Sequence, residues 1–155
     1  MADSVLLIIR LLWLPIRLIT MKAILTILYW GARLLAAIIL LQTLFFKFTA
    51  SPESVYIFTK VGMEPWGRIL VGLLELVAAV MLIIPRSAWM GAILALGLMA
   101  GAIGMHLTLL GIEVQGDGGY LFFLALIVAI CSAYALTRNM DKLTAIVSLV
   151  RQKIS

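Results

Sequence analysis

Glu75 stands in the middle of an otherwise apolar stretch, residues 71–84, and Arg68 lies seven residues before it. Seven residues is two helical turns, so the two side chains share one helix face. A carboxylate in such surroundings needs a cation or a proton. At bilayer depth it is by default a candidate working site. Two cations are candidate partners, Arg33 in the preceding apolar segment and Arg68 on the same helix. Three chemistries follow: a buried ion pair that orients helices, a site for a proton or ligand, or a neutral carboxylic acid bonded to a backbone carbonyl. His106 adds a general base, a proton relay or a ligand-binding group, or else a hydrogen-bonded residue at a helix end. Lys47 closes the first apolar run, and Glu64, Glu113 and Asp117 sit in loops.

Other chemistries find no support. The one cysteine, Cys131, excludes an internal disulfide and a Cys-x-x-Cys redox pair, and reads as a small packed hydrophobe. One histidine cannot make a bis-histidine haem site, and the spacing of the carboxylates does not suggest zinc. There is no phosphate loop, nucleophile elbow or metal signature. No metal and no covalently held cofactor is expected, and nothing marks the chain as an enzyme on its own.

These residues must be positioned by membrane helices. The chain of 155 residues is 65% hydrophobic and 12% charged, where a soluble domain carries about 25% charged residues. Four apolar segments, about 23–48, 66–84, 88–112 and 120–136, each approach the ~20 residues needed to span hydrocarbon. The fold class expected is all-α: an integral membrane four-helix bundle with interfacial amphipathic helices at both termini. The N-terminal segment, 1–20, carries Arg10 and Arg17 on one face with Pro15 between them. The tail, 138–155, carries Leu143, Ile146, Val147, Val150 and Ile154 on one stripe beside Lys142, Arg151 and Lys153. Residues 21–137 form the bundle domain between them. Asp3 in place of a basic leader, and Arg10 breaking the first apolar run, argue against a cleaved signal.

The connections differ in length. Pro85-Arg86 makes a minimal turn, so segments two and three should form an antiparallel hairpin. Residues 49–65 read as a polar loop with Ser51-Pro52 and Glu64-Pro65 as breakers, and 116–119 as a glycine-rich turn. Counted from residues 85–87 at ~1.5 Å per residue, Arg68 lies about 25 Å from the turn, level with His106 and near the Lys47 end of segment one. Gly97, Gly101 and Gly104 read as a thin stripe for close helix packing.

Basic residues give a topology. With four spans, Arg10, Arg17, Lys22, Arg86, Arg138, Lys142, Arg151 and Lys153 fall on one side, and Lys47, Glu53, Lys60, Glu64, Arg68, Glu113 and Asp117 on the other. Both termini are therefore expected in the cytoplasm, in the plasma (inner) membrane. The net charge of +5 flanks apolar segments, which points to anionic lipid rather than nucleic acid.

The middle of the chain resembles the DoxX-like family of small four-helix membrane proteins. The resemblance rests on Leu41-Gln42-Thr43-Leu44-Phe45-Phe46-Lys47-Phe48, then Glu64-Pro65-Trp66-Gly67-Arg68, Gly72-Leu73-Leu74-Glu75-Leu76 and Leu82-Ile83-Ile84-Pro85, then Gly101-Ala102 and His106. It covers roughly residues 29–136. The family pattern maps onto Lys47, Glu75 and His106. Some members are membrane subunits of thiosulfate–quinone oxidoreductases; others are linked to detoxification partners or to receptor assembly. The resemblance thus implies either binding of a quinone-like or other lipophilic molecule with a redox partner, or structural assembly without small-molecule chemistry. The first expects an accessible pocket lined by Glu75, Arg68, Lys47 and His106. The second expects those residues paired in a closed bundle.

Overall fold

A computed structural model describes the backbone of residues 2–154 and the side chains of 19–145, 148, 151 and 152. The described residues form six α-helices: α1 (Ala2–Phe48), α2 (Pro52–Lys60), α3 (Trp66–Ile83), α4 (Ala88–Met105), α5 (Tyr120–Thr137) and α6 (Met140–Ile154). A π-helical turn, His106–Leu110, extends α4. Among the described residues, four stretches are long and apolar enough to cross a bilayer: Ile19–Phe48, Trp66–Ile83, Ala88–Leu110 and Tyr120–Thr137. Two compact units divide the chain, residues 1–31 and 32–155. The first is helical and holds a local hydroxyl bond from Thr26 to the Lys22 carbonyl at 2.8 Å. The expected basic face at Arg10 and Arg17 falls on side chains outside the described residues, while the backbone of α1 runs unbroken through Pro15, which does not end the helix. The side chains of Ile146, Val147, Val150, Lys153 and Ile154 of the tail stripe also lie outside the described residues.

The second unit holds the bundle. Its centre is built from small residues: Ala36, Ala78, Ala79, Ala88, Ala92, Ala95 and Ala135 are all fully or almost fully buried. Without a hydrophobic drive between helices in lipid, close backbone approach supplies the packing. Large apolar residues such as Ile38, Phe45, Leu73 and Ile130 face outward, as lipid contact requires.

The α3–α4 hairpin forms as expected from Pro85. Ile84, the residue before proline, is extended and ends α3. The Ser87 hydroxyl then donates to the Met81 carbonyl at 3.1 Å. The close contact of this hairpin is at Gly91, where an added Cβ would sit 2.7 Å from the Leu82 nitrogen and 2.9 Å from the Met81 carbonyl carbon. The expected packing stripe is displaced accordingly. A Cβ at Gly97, Gly101 or Gly104 would meet nothing within 4 Å.

Residues 52–60, read from the sequence as loop, are helical. Ser51 caps α2, its hydroxyl accepting from the Ser54 N–H at 3.3 Å, and Pro52 occupies the first turn. A serine followed by proline is a helix start as much as a loop signal. Phe58 buries against the bundle, so α2 is anchored to it.

Candidate functional site

Glu75 occupies the middle of α3, 3% exposed, on the stripe Gly72, Glu75, Ala79, Leu82 that faces the bundle. Its partner is Lys47, in the last turn of α1. Lys47 Nζ lies 2.9 Å from Oε2 and 3.0 Å from Oε1 of Glu75. Gly72 lies at this contact, where an added Cβ would meet Leu44 Cδ1 at 3.4 Å and Lys47 Cβ and Phe48 Cζ at 3.6 Å, ordinary packing distances. Thr43, one turn before Lys47, places its hydroxyl 3.2 Å from Glu75 Oε2 and 3.0 Å from the Leu40 carbonyl. A hydroxyl carries one proton and donates to one of these at a time.

The two partners considered for Glu75 go elsewhere. Arg33 is 1% exposed, and its Nε and Nη2 donate to the carbonyls of Leu82 and Ile83 at 2.7 and 2.9 Å. The proposed Arg33–Glu75 pair is replaced by a cap on the C-terminal carbonyls of α3, which a planar guanidinium suits. Leu82 is seven residues past Glu75, about 10 Å along the helix, which puts those carbonyls at a different depth. Arg68 turns back on its own helix start. Its Nε donates to Glu64 at 2.9 and 3.0 Å, its Nη2 to Glu64 Oε1 at 2.7 Å, and its Nη1 to the Lys47 carbonyl.

Glu64, Arg68, Lys47 and Glu75 therefore form one connected chain. It runs from the α2–α3 loop through the end of α1 to the centre of α3. His106 stands apart from it. Its ring nitrogen Nδ1 lies 2.8 Å from the Gly111 carbonyl, and its ring packs edge-on to Phe122 with centroids 5.6 Å apart.

A cavity of about 490 Å³ separates the two groups. Lys47, Glu75 and Thr43 line one wall; His106, Gly97, Gly101 and Met105 line another; Tyr120, Leu124 and Val128 of α5 line a third. Ser51, Glu53, Ser54, Ile57 and Phe58 bring α2 across it. Its wall is mostly apolar. Arg68 and Glu64 are not on it: they hold the end of α1 from behind. Gln42 Nε2 donates to Tyr120 Oη at 3.3 Å, tying α1 to the start of α5.

Asp117 also reaches the cavity and organises the loop before α5. Its Oδ1 accepts from the Val114 and Gly119 N–H groups at 2.8 and 2.9 Å, and its Oδ2 from Leu121 at 3.0 Å. Burial pushes this carboxyl up. The Leu121, Val114 and Gly119 N–H groups outweigh that, with help from His106, and hold it below the usual carboxylate range.

The sequence reading missed Thr43 and Gly111. Thr43 was legible as the i–4 neighbour of Lys47 on one face. Gly111 had no such signal. The π-turn that brings it to His106 is a tertiary event, although such turns recur at functional sites.

No curated protein and no solved structure matches this chain. Residues 31–132, about two thirds of the chain, match the sequence pattern of the DoxX-like family. That span contains Arg33, Lys47, Glu64, Arg68, Glu75, His106 and the whole cavity wall. The chain belongs to the DoxX-like family.

Proposed function

We propose that this protein binds a flat lipophilic molecule of the quinone class in the bundle cavity and serves as the membrane subunit of a redox partner. The observation that carries the reading is a cavity of about 490 Å³ with a buried ion pair on its wall. Small-molecule sites commonly occupy ~300–1,000 Å³, mostly apolar with a few placed polar groups. Lys47, Glu75, His106 and Tyr120 are those groups here. The redox partner is carried by the family resemblance alone. The site lies in the plasma (inner) membrane with both termini cytoplasmic, and the basic tail contacts anionic lipid; Arg86, Arg138 and Lys142 on that side support the orientation.

A second reading, an assembly element without small-molecule chemistry, draws on the closure of the two ion pairs, Lys47–Glu75 and Arg68–Glu64. Purification in mild detergent separates the two, with mass spectrometry of co-purifying small molecules and proteins for wild type and Glu75→Gln. A lipophile retained by the wild type and lost from the variant is expected. An empty wild type holding the same protein partner as Glu75→Gln would overturn the binding reading in favour of assembly.

A further inference from the structure

We infer that the ligand of this cavity donates a hydroxyl hydrogen bond to His106 Nε2, so that the site takes an aryl alcohol in preference to the same ring without its hydroxyl. The inference rests on the lipophile-binding reading above and names the chemistry of that ligand.

The argument starts at Gly111. Its N–H donates to the His106 carbonyl at 2.9 Å, closing the π-turn, and its own carbonyl lies 2.8 Å from His106 Nδ1. Its backbone sits at φ +86 and ψ 169, a region essentially reserved for glycine. Main chain and side chain of His106 are thus both tied to one pinned residue. A carbonyl oxygen only accepts, so Nδ1 must carry the proton. In the neutral ring Nε2 is then bare and can only accept.

Nε2 has no hydrogen-bond partner among the described residues. His106 is 5% exposed, and its ring lines the cavity with Phe122 against one edge. Nε2 is open to the cavity, so a ligand that fills the space takes it out of water, and an acceptor buried in that way without a donor is costly. On its own helix, Gly101, Ala102 and Met105 line the cavity and bring no side-chain hydroxyl or N–H, and the Asp117 carboxylate, which also lines it and interacts with His106, only accepts. A ligand hydroxyl supplies the missing donor, and an ether or a ring carbonyl cannot. For a quinone-class ring, the hydroquinone satisfies Nε2 and the quinone does not.

His106 is the one histidine in the sequence, so its two nitrogens can be observed alone. The full chain is purified in detergent with 15N-histidine at pH 8. It is then titrated with 4-hexylphenol and with 4-hexylanisole, its methyl ether. Expected is a protonated Nδ1 and a bare Nε2, with the Nε2 resonance moving on addition of the phenol alone. By equilibrium dialysis against empty micelles, the phenol should bind about tenfold more tightly than the ether, the loss expected when one buried hydrogen bond is removed. His106→Phe should bring the two within about twofold. A proton on Nε2, equal affinity for the two compounds, or a preference that survives in His106→Phe would each overturn the inference and leave the cavity reading standing. Failure of both compounds to bind would overturn the cavity reading itself, and this inference with it. If His106→Phe does not fold, the wild-type spectrum and the phenol–ether comparison still decide.

Discussion

Lys47 and Glu75 are worth most as a pair. Each is held in surroundings where a lone charge is expensive, and removing one partner of a buried pair costs about 3–5 kcal/mol. Lys47→Met or Glu75→Gln alone should lower stability in detergent by an amount of that order, the Gln variant less because the Lys47 it leaves unpaired is the more exposed partner, 15% against 4%. The Lys47→Met/Glu75→Gln double variant should be no less stable than the worse single. Thermal or denaturant unfolding of all four proteins measures this, and strict additivity of the two losses would show that the charges do not interact. The carboxylate itself was legible in the sequence: a glutamate inside residues 71–84 cannot be ignored. Its partner was not. Residue counting offered Arg33 and Arg68 and passed over Lys47, at the end of the first apolar run. Only the depth at which α1 packs against α3, a tertiary property, selects Lys47.

The α3–α4 hairpin and the cavity wall are decided by glycines that look alike in sequence. Gly91 has backbone against it, while Gly97 and Gly101 face open space in the cavity. Gly91→Leu should therefore destabilise the protein by about 1–3 kcal/mol or more, as overpacking does. Gly101→Leu should leave the unfolding midpoint close to wild type and fill part of the cavity, lowering lipophile retention. A thermal scan beside a co-purification assay checks both; a Gly91→Leu protein as stable as wild type would show that α3 and α4 can separate. The four spanning helices were legible because twenty apolar residues have few alternatives. Helix α2 was not, because Ser51-Pro52 starts a helix and breaks one with the same chemistry. Which face each small residue presents was also hidden, since α4 is apolar all round and carries no periodic signal.

At the scale of the whole molecule, Lys142 Nζ reaches the Pro85 carbonyl at 3.3 Å, which sets the start of α6 beside the α3–α4 turn. Arg86 and Arg138 share that end with it, and Glu113 and Asp117 lie at the other. With Cys131→Ala as background, a cysteine at Glu113 should react with a membrane-impermeant maleimide in intact cells. A cysteine at Gln152 should react only after permeabilisation. The reverse pattern would invert the proposed orientation. The family was legible in the order of short motifs, since residues 31–132 carry the match. The cavity was not, because an empty space leaves no mark on composition.

The cap that Arg33 places on α3 has a consequence for biogenesis. The chain is made from its N-terminus, and Arg33 enters the membrane with the first span some fifty residues before Leu82 and Ile83 exist to accept its hydrogen bonds. A cation near the middle of an inserting helix costs about 2.5–3.5 kcal/mol. The first span, Ile19–Phe48, offsets this with its length and hydropathy. Its final seating still waits for the arrival of α3. Order of synthesis thus runs opposite to order of stabilisation, and the first helix to be made is among the last to be secured.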